Sequence, residues 1–142
     1  LLNFYYFLLN GFVTISMPKK KAEGYLTLSG IYGLQGNKAK QVEVLEKALN
    51  SSDNKSAKLL YFELSRIYSA QGNYDESIRI LEDAIKLFSN DDKILGRIYY
   101  NLGIIYHERN DIFKEAYPYY KKSANLNYQA AIDYLRDNGV ED

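Results

Sequence analysis

Residues Ala57–Leu87 read AKLLYFELSRIYSAQGNYDESIRILEDAIKL, and this stretch decides the fold. Leu60, Tyr61, Leu64, Ile67 and Tyr68 recur at helical spacing and stop at Gln71-Gly72-Asn73. A second helical pattern, Ile78, Leu81 and Ile85, follows at once. Two amphipathic helices joined by so short a turn can only fold back as an antiparallel hairpin. Small residues, Ser65 and Ala84, stand where the two helices must approach closely.

The layout recurs on both sides. Tyr25, Leu28, Ser29 and Tyr32, then Gly36-Asn37, then Leu45 and Ala48 precede it; Tyr99, Leu102, Gly103 and Tyr106, then Asn110-Asp111, then Tyr120 and Ser123 follow it. Tyr32 and Tyr68 are 36 residues apart, and Tyr68 and Tyr106 are 38 apart. A fixed period in this range, with one helix–turn–helix per period, predicts a stacked helical array.

These residues resemble the tetratricopeptide repeat. The pattern of an aromatic, Leu-small, Tyr, Gly at the turn, then Leu or an aromatic, and Ala, is carried by Tyr25, Leu28-Ser29, Tyr32, Gly36, Leu45 and Ala48. It returns as Tyr61, Leu64-Ser65, Tyr68, Gly72, Leu81 and Ala84, and as Tyr99, Leu102-Gly103, Tyr106, Ala116, Tyr120 and Ser123. The resemblance implies an all-α fold: a right-handed α-solenoid of three helix-turn-helix repeats, about 22–53, 57–89 and 93–125, plus a capping helix at about 128–138. Together these form one repeat domain over residues 22–142, preceded by residues 1–21. Gln41 and Ser77 depart from the pattern by replacing a small Ala, the third turn carries one extra residue, and YYKKSANLNYQAA (119–131) is also similar to Sel1-like repeats.

Leu1–Ile15 is apolar and uncharged, and Lys19-Lys20-Lys21 follows it. Four readings stand side by side: a membrane anchor, shorter than the ~20 residues a spanning helix needs; the apolar part of a signal peptide, though the positive charges follow it and no A-x-A-like site does; translated sequence upstream of a start at Met17, the chain's sole Met, or the end of a longer parent, which is the favoured one; or a packed N-terminal helix.

Within the repeats, Glu43 with Lys47, Asp75 with Arg79, and Glu82 with Lys86 are each four apart and suited to pairing on a solvent face. Ser51–Asn54 and Ser89–Asp92 read as links rich in capping side chains. A first helix is expected over Lys93–Glu108. Its partner begins near Phe113, with Pro118 in the second turn, where it should bend the helix or delay its start. Tyr128, Ala131, Ile132 and Leu135 share one face of a last helix, which stops at Asn138-Gly139.

The chain of 142 residues has 18 basic and 18 acidic side chains and no Cys. That balance argues against a nucleic-acid binder, and the missing Cys removes thiolate metal sites and thiol nucleophiles. No phosphate loop, zinc-protease helix or nucleophile elbow occurs. His107, the sole His, is expected as a surface side chain, and its neighbour Glu108 points about a quarter-turn away. The expectation is therefore a non-enzyme with no catalytic residue, cofactor or metal. The 15 tyrosines fill the aromatic sites of the repeats.

Carried over residue by residue, the resemblance implies a concave groove lined by the first helices: Glu23, Leu26, Gly30 and Leu34; Leu59, Phe62, Arg66 and Ala70; Arg97, Tyr100, Ile104 and His107. Leu26, Phe62, Arg66, Arg97, Tyr100 and Ile104 are the candidate peptide contacts. The subgroup that grips a C-terminal carboxylate is not matched: its sites hold Leu26, Gly30, Glu63, Arg97 and Asn101, of which only Arg97 is basic. The function implied is a cytoplasmic scaffold that binds a protein or peptide, with no nucleic acid and with membrane contact only through Leu1–Ile15. The alternatives are a membrane-anchored assembly factor and a regulatory domain of a larger enzyme or sensor.

Overall fold

A computed structural model of the chain describes residues 18–51, 54–110 and 113–140. Leu1–Ile15, Met17, Ser52-Asp53 and Asp111-Ile112 lie outside the described residues, and with them the reading of the leader and most of the first link. Among the described residues there are seven helices: α1 (Pro18–Leu34), α2 (Lys38–Ser51), α3 (Asn54–Ala70), α4 (Tyr74–Leu87), α5 (Asp92–Asn110), α6 (Phe113–Asn125) and α7 (Gln129–Asp137). They form two compact units, divided inside α3 after Leu64.

In the first unit, α1 and α2 form a hairpin closed at Gly36. The Gly36 φ of 70° lies in the left-handed region that only Gly enters without strain. Asn37 Oδ1 accepts from the Lys40 N–H at 3.2 Å and caps α2. Tyr25, Leu28 and Tyr32 of α1, Leu45 and Ala48 of α2, and Ala57, Leu60 and Leu64 of α3 are buried. Ser29 Oγ donates to the Gln41 carbonyl at 3.3 Å. Gln41, the oversized substitute for Ala, is accommodated because Gly33 faces it: a β-carbon on Gly33 would stand 2.7 Å from Gln41 Nε2.

The second unit repeats the hairpin with Gly72 at φ 76°. Ser65 and Ser77 are buried at the close approach of α3 and α4. Ser77 Oγ donates to the Ser65 carbonyl at 2.7 Å and lies 2.8 Å from Ser65 Oγ. A hydroxyl in place of Ala at 77 therefore carries its own acceptor. Asp91 Oδ1 accepts from the Ile94 N–H at 3.0 Å and caps α5, so the second link caps as its composition predicts. Helix α6 starts at Phe113 and runs through Pro118 without interruption. Ser123 Oγ bonds the Gly96 carbonyl across to α5. Helix α7 begins one residue after Tyr128, buries Ala131 and Leu135, and ends at Asp137, with Gly139 at φ 72° just beyond it.

The charge pairs on α4 differ from those expected. Arg79 pairs with Glu76 at 2.8 Å and Asp83 at 3.4 Å, not with Asp75, and Lys86 pairs with Asp83 at 2.9 Å. Asp75 is instead 3.0 Å from Arg109 of α5, a cation that helical spacing along α4 cannot foresee. The hydrogen bond that Arg79 donates to Glu76 raises the Arg79 pKa, and the one that Lys86 donates to Asp83 raises the Lys86 pKa.

Candidate functional site

The first helices of the hairpins carry the groove positions, and each unit presents its own set. In the first unit, Leu26 is partly buried, Gly30 faces open space, and Leu34 and Leu59 are 92% and 47% exposed. Phe62 is 8% exposed. The structure thus puts Phe62 in the interior and leaves Leu34 and Leu59 as the open apolar positions, with Leu26 between the two extremes.

In the second unit Arg66 and Arg97 are exposed, whereas Tyr100 and Ile104 are half-buried. The Tyr100 ring lies 5.7 Å from that of Tyr120 and 5.4 Å from that of Tyr128, at distances favourable for aromatic pairs. Burial raises the Tyr100 pKa. Ile104 packs against the cluster of Ala116, Tyr120 and Leu135.

His107 corrects the surface expectation. It is half-buried, and its Nδ1 is 3.1 Å from the Tyr134 hydroxyl of α7. The three positions of α5 below Arg97 are therefore taken up by contacts within the unit. No local sequence signal links His107 to Tyr134, 27 residues away. The small Gly103 and the large Tyr120, read against Ser65 and Leu81, are the one hint that the third hairpin packs differently.

On the seam between α5 and α6, the rings of Tyr106 and Tyr119 stack at 4.7 Å and 11°. Lys122 Nζ stands 5.5 Å from the Tyr99 ring and 5.7 Å from the Tyr119 ring, within cation–π range of both. Burial pushes the Tyr119 and Tyr120 hydroxyls well above the ordinary tyrosine range; a hydrogen bond with Tyr106 adds to the first, and the Tyr134 charge and hydrogen bond to the second. A shallow pocket lined by Gly72, Asn73, Tyr74, Asp75, Glu76 and Arg109 sits at the α3–α4 turn, away from the groove positions. Among the described residues no group of three His, Asp or Glu side chains is placed to hold a metal ion. No helix among them is long and apolar enough to cross a membrane.

An all-α array of helical hairpins is the architecture of a helical-repeat protein. The chain belongs to the tetratricopeptide-repeat family: one model of that repeat matches residues 55–129 and a second matches residues 22–55. Its fold is similar to that of a solved structure described as the crystal structure of MamA. The two align with a TM-score of 0.62 and 24% identity, over 87% of this chain and 67% of that one. No curated protein matches the chain. Repeats of this family mediate protein–protein interactions and typically build non-catalytic scaffolds.

Proposed function

We propose that the chain is a scaffold that binds a peptide or protein segment through the faces of its first helices. The observation that carries this reading is the exposure of Leu34 and Leu59. Both occupy positions where the family lines its groove, and large apolar side chains left open at such positions suit a partner that covers them. In the first unit the contacts are Leu26, Leu34 and Leu59, with Phe62 supporting them from the interior. In the second, Arg66 and Arg97 supply exposed cations for acidic residues of the partner, and Tyr100 and Ile104 form the packed base beside them.

The test is a capture experiment with the full chain, read by mass spectrometry, alongside Leu59→Glu and Arg66→Ala. The expected outcome is one partner retained by the native chain, lost with Leu59→Glu and weakened mainly at low salt with Arg66→Ala, at unchanged melting temperatures. A partner captured equally by all three chains overturns the groove reading.

A further inference from the structure

Asn138-Gly139 stops α7, and the peptide-binding reading uses neither residue. The same two residues are chemically labile together. An Asn followed by Gly lets a backbone amide attack the preceding side chain, because Gly has no β-carbon to obstruct the approach and its backbone turns freely. The pair occurs twice in the chain, at 138–139 and at 10–11, and the latter lies outside the described residues.

The fold holds Asn138 and Gly139 in an unreactive arrangement. Gly139, at φ 72°, donates its N–H to the Arg136 carbonyl at 3.0 Å, and Val140 donates to the Leu135 carbonyl at 3.0 Å. Two such bonds around a left-handed Gly make a paired-bond helix stop. Val140 packs against the cluster of Ala116, Tyr120 and Leu135 and supplies the apolar contact that accompanies this stop. Asn138 Nδ2 donates to the Tyr134 carbonyl at 2.8 Å. The attacking nitrogen and the leaving nitrogen are thus each bonded to a different carbonyl of the last turn of α7. At an Asn138 ψ of 14°, the Gly139 nitrogen nearly eclipses the Asn138 backbone nitrogen and is turned away from the side chain. Asn138 is exposed, so opening of this one turn brings the reacting groups together in water.

We propose that Asn138 is a site of spontaneous deamidation whose rate is set by fraying of the last turn of α7. The Gly139 nitrogen bonds to Asn138 Cγ, the Cγ–Nδ2 bond breaks, and Nδ2 leaves as ammonia with the proton from Gly139. One water then opens the cyclic imide at either carbonyl, giving Asp or its isomer in which the main chain runs through the side chain. Either product places a new negative charge at the negative end of the helix dipole and has no N–H to give the Tyr134 carbonyl. The isomer also lengthens the backbone within the paired-bond stop. The turn that loosens carries Tyr134 and Leu135, which hold α7 to His107 and to the Ala116–Tyr120 cluster. This is independent of the peptide-binding reading.

The test is incubation of the full chain at mildly alkaline pH, in buffer and in unfolding guanidinium chloride, with peptide mass spectrometry to read conversion of amide to acid. In guanidinium, Asn138 should convert ahead of Asn101, Asn125 and Asn127, none of which precedes Gly. In buffer it should convert more slowly by about tenfold or more, because only the open turn reacts. Val140→Ala removes the apolar contact of the stop. It should raise the rate in buffer roughly threefold and leave the rate in guanidinium unchanged. Asn138→Asp, with one product already in place, should speed hydrogen exchange at the Leu135 and Val140 amides and leave that of α4 unchanged. Equal rates in buffer and guanidinium, a Val140→Ala chain that converts no faster in buffer, or unaltered exchange in Asn138→Asp would each overturn the proposal.

Discussion

Tyr120 Cε1 lies 2.6 Å from the point where a β-carbon on Gly103 would stand. At the matching positions of the repeat the first two hairpins carry Ser29 and Leu45, and Ser65 and Leu81, all buried. The third exchanges a smaller residue for a larger one. Gly103→Ser should therefore overpack the α5–α6 interface and cost roughly 1–3 kcal/mol. Tyr120→Leu should cost a similar amount by leaving a void. The double variant restores the pairing of the other hairpins and should fall short of the sum by about 1 kcal/mol or more. Urea melts of the four chains measure this, and strict additivity would show that the two residues are not coupled.

The Ser65–Ser77 pair gives a second cycle. Ser77→Ala removes the donor to the Ser65 carbonyl and strands the Ser65 hydroxyl in a buried site, for a cost of about 1–2 kcal/mol. Removing both hydroxyls, in Ser65→Ala/Ser77→Ala, should cost no more than the single change. A double variant clearly less stable than Ser77→Ala would indicate that the hydroxyls fill volume more than they bond.

Buried tyrosines make the fold sensitive to alkali. Tyr100, Tyr119 and Tyr120 all have raised pKa values in the folded chain, with burial as the leading cause. Their unfolded counterparts ionise near the ordinary value of about 10. Between that value and the folded pKa the unfolded state binds fewer protons, so stability is full below about pH 10 and is lost as pH rises above it. Tyr120→Phe should make the fall shallower by up to about 1.4 kcal/mol per pH unit. Urea midpoints at a series of alkaline pH values check the slope, and an unchanged slope would remove Tyr120 from the account.

Phe62 and Arg66 lie one turn apart on α3 and should respond oppositely to truncation. Phe62 is in the interior, so Phe62→Ala should cost roughly 3–5 kcal/mol. Arg66→Ala, at an exposed position, should cost under about 1 kcal/mol. Thermal melts that lower both equally would contradict the burial of Phe62.

The helices were legible because each hairpin announces itself. Gly36 and Gly72 mark turns that require positive φ, Asp91 caps where a link was read, and Ala131 and Leu135 recur at the spacing that buries one face of α7. Periodicity fixes how a residue points relative to its own hairpin. It does not tell what lies beyond, and that is why Phe62 reads as an outward groove residue yet is buried. The same limit hides the His107–Tyr134 contact, whose partner comes from a helix two elements later. The sequence leaves the ion pairs of α4 ambiguous for a related reason: several carboxylates stand within reach of each cation, and Arg109 of another helix competes for Asp75.

The ion pairs along α4 bear on how a charged partner could find this molecule. Glu76, Arg79, Asp83 and Lys86 alternate in sign and are each matched within 3.4 Å. To an approaching molecule such a row is a chain of small opposed dipoles, whose potential dies away faster than that of a lone charge and is further damped by salt. These four side chains exert almost no long-range pull. Encounters guided from a distance are then governed by charges elsewhere on the surface, and contacts with this part of α4 begin only once the two molecules already touch.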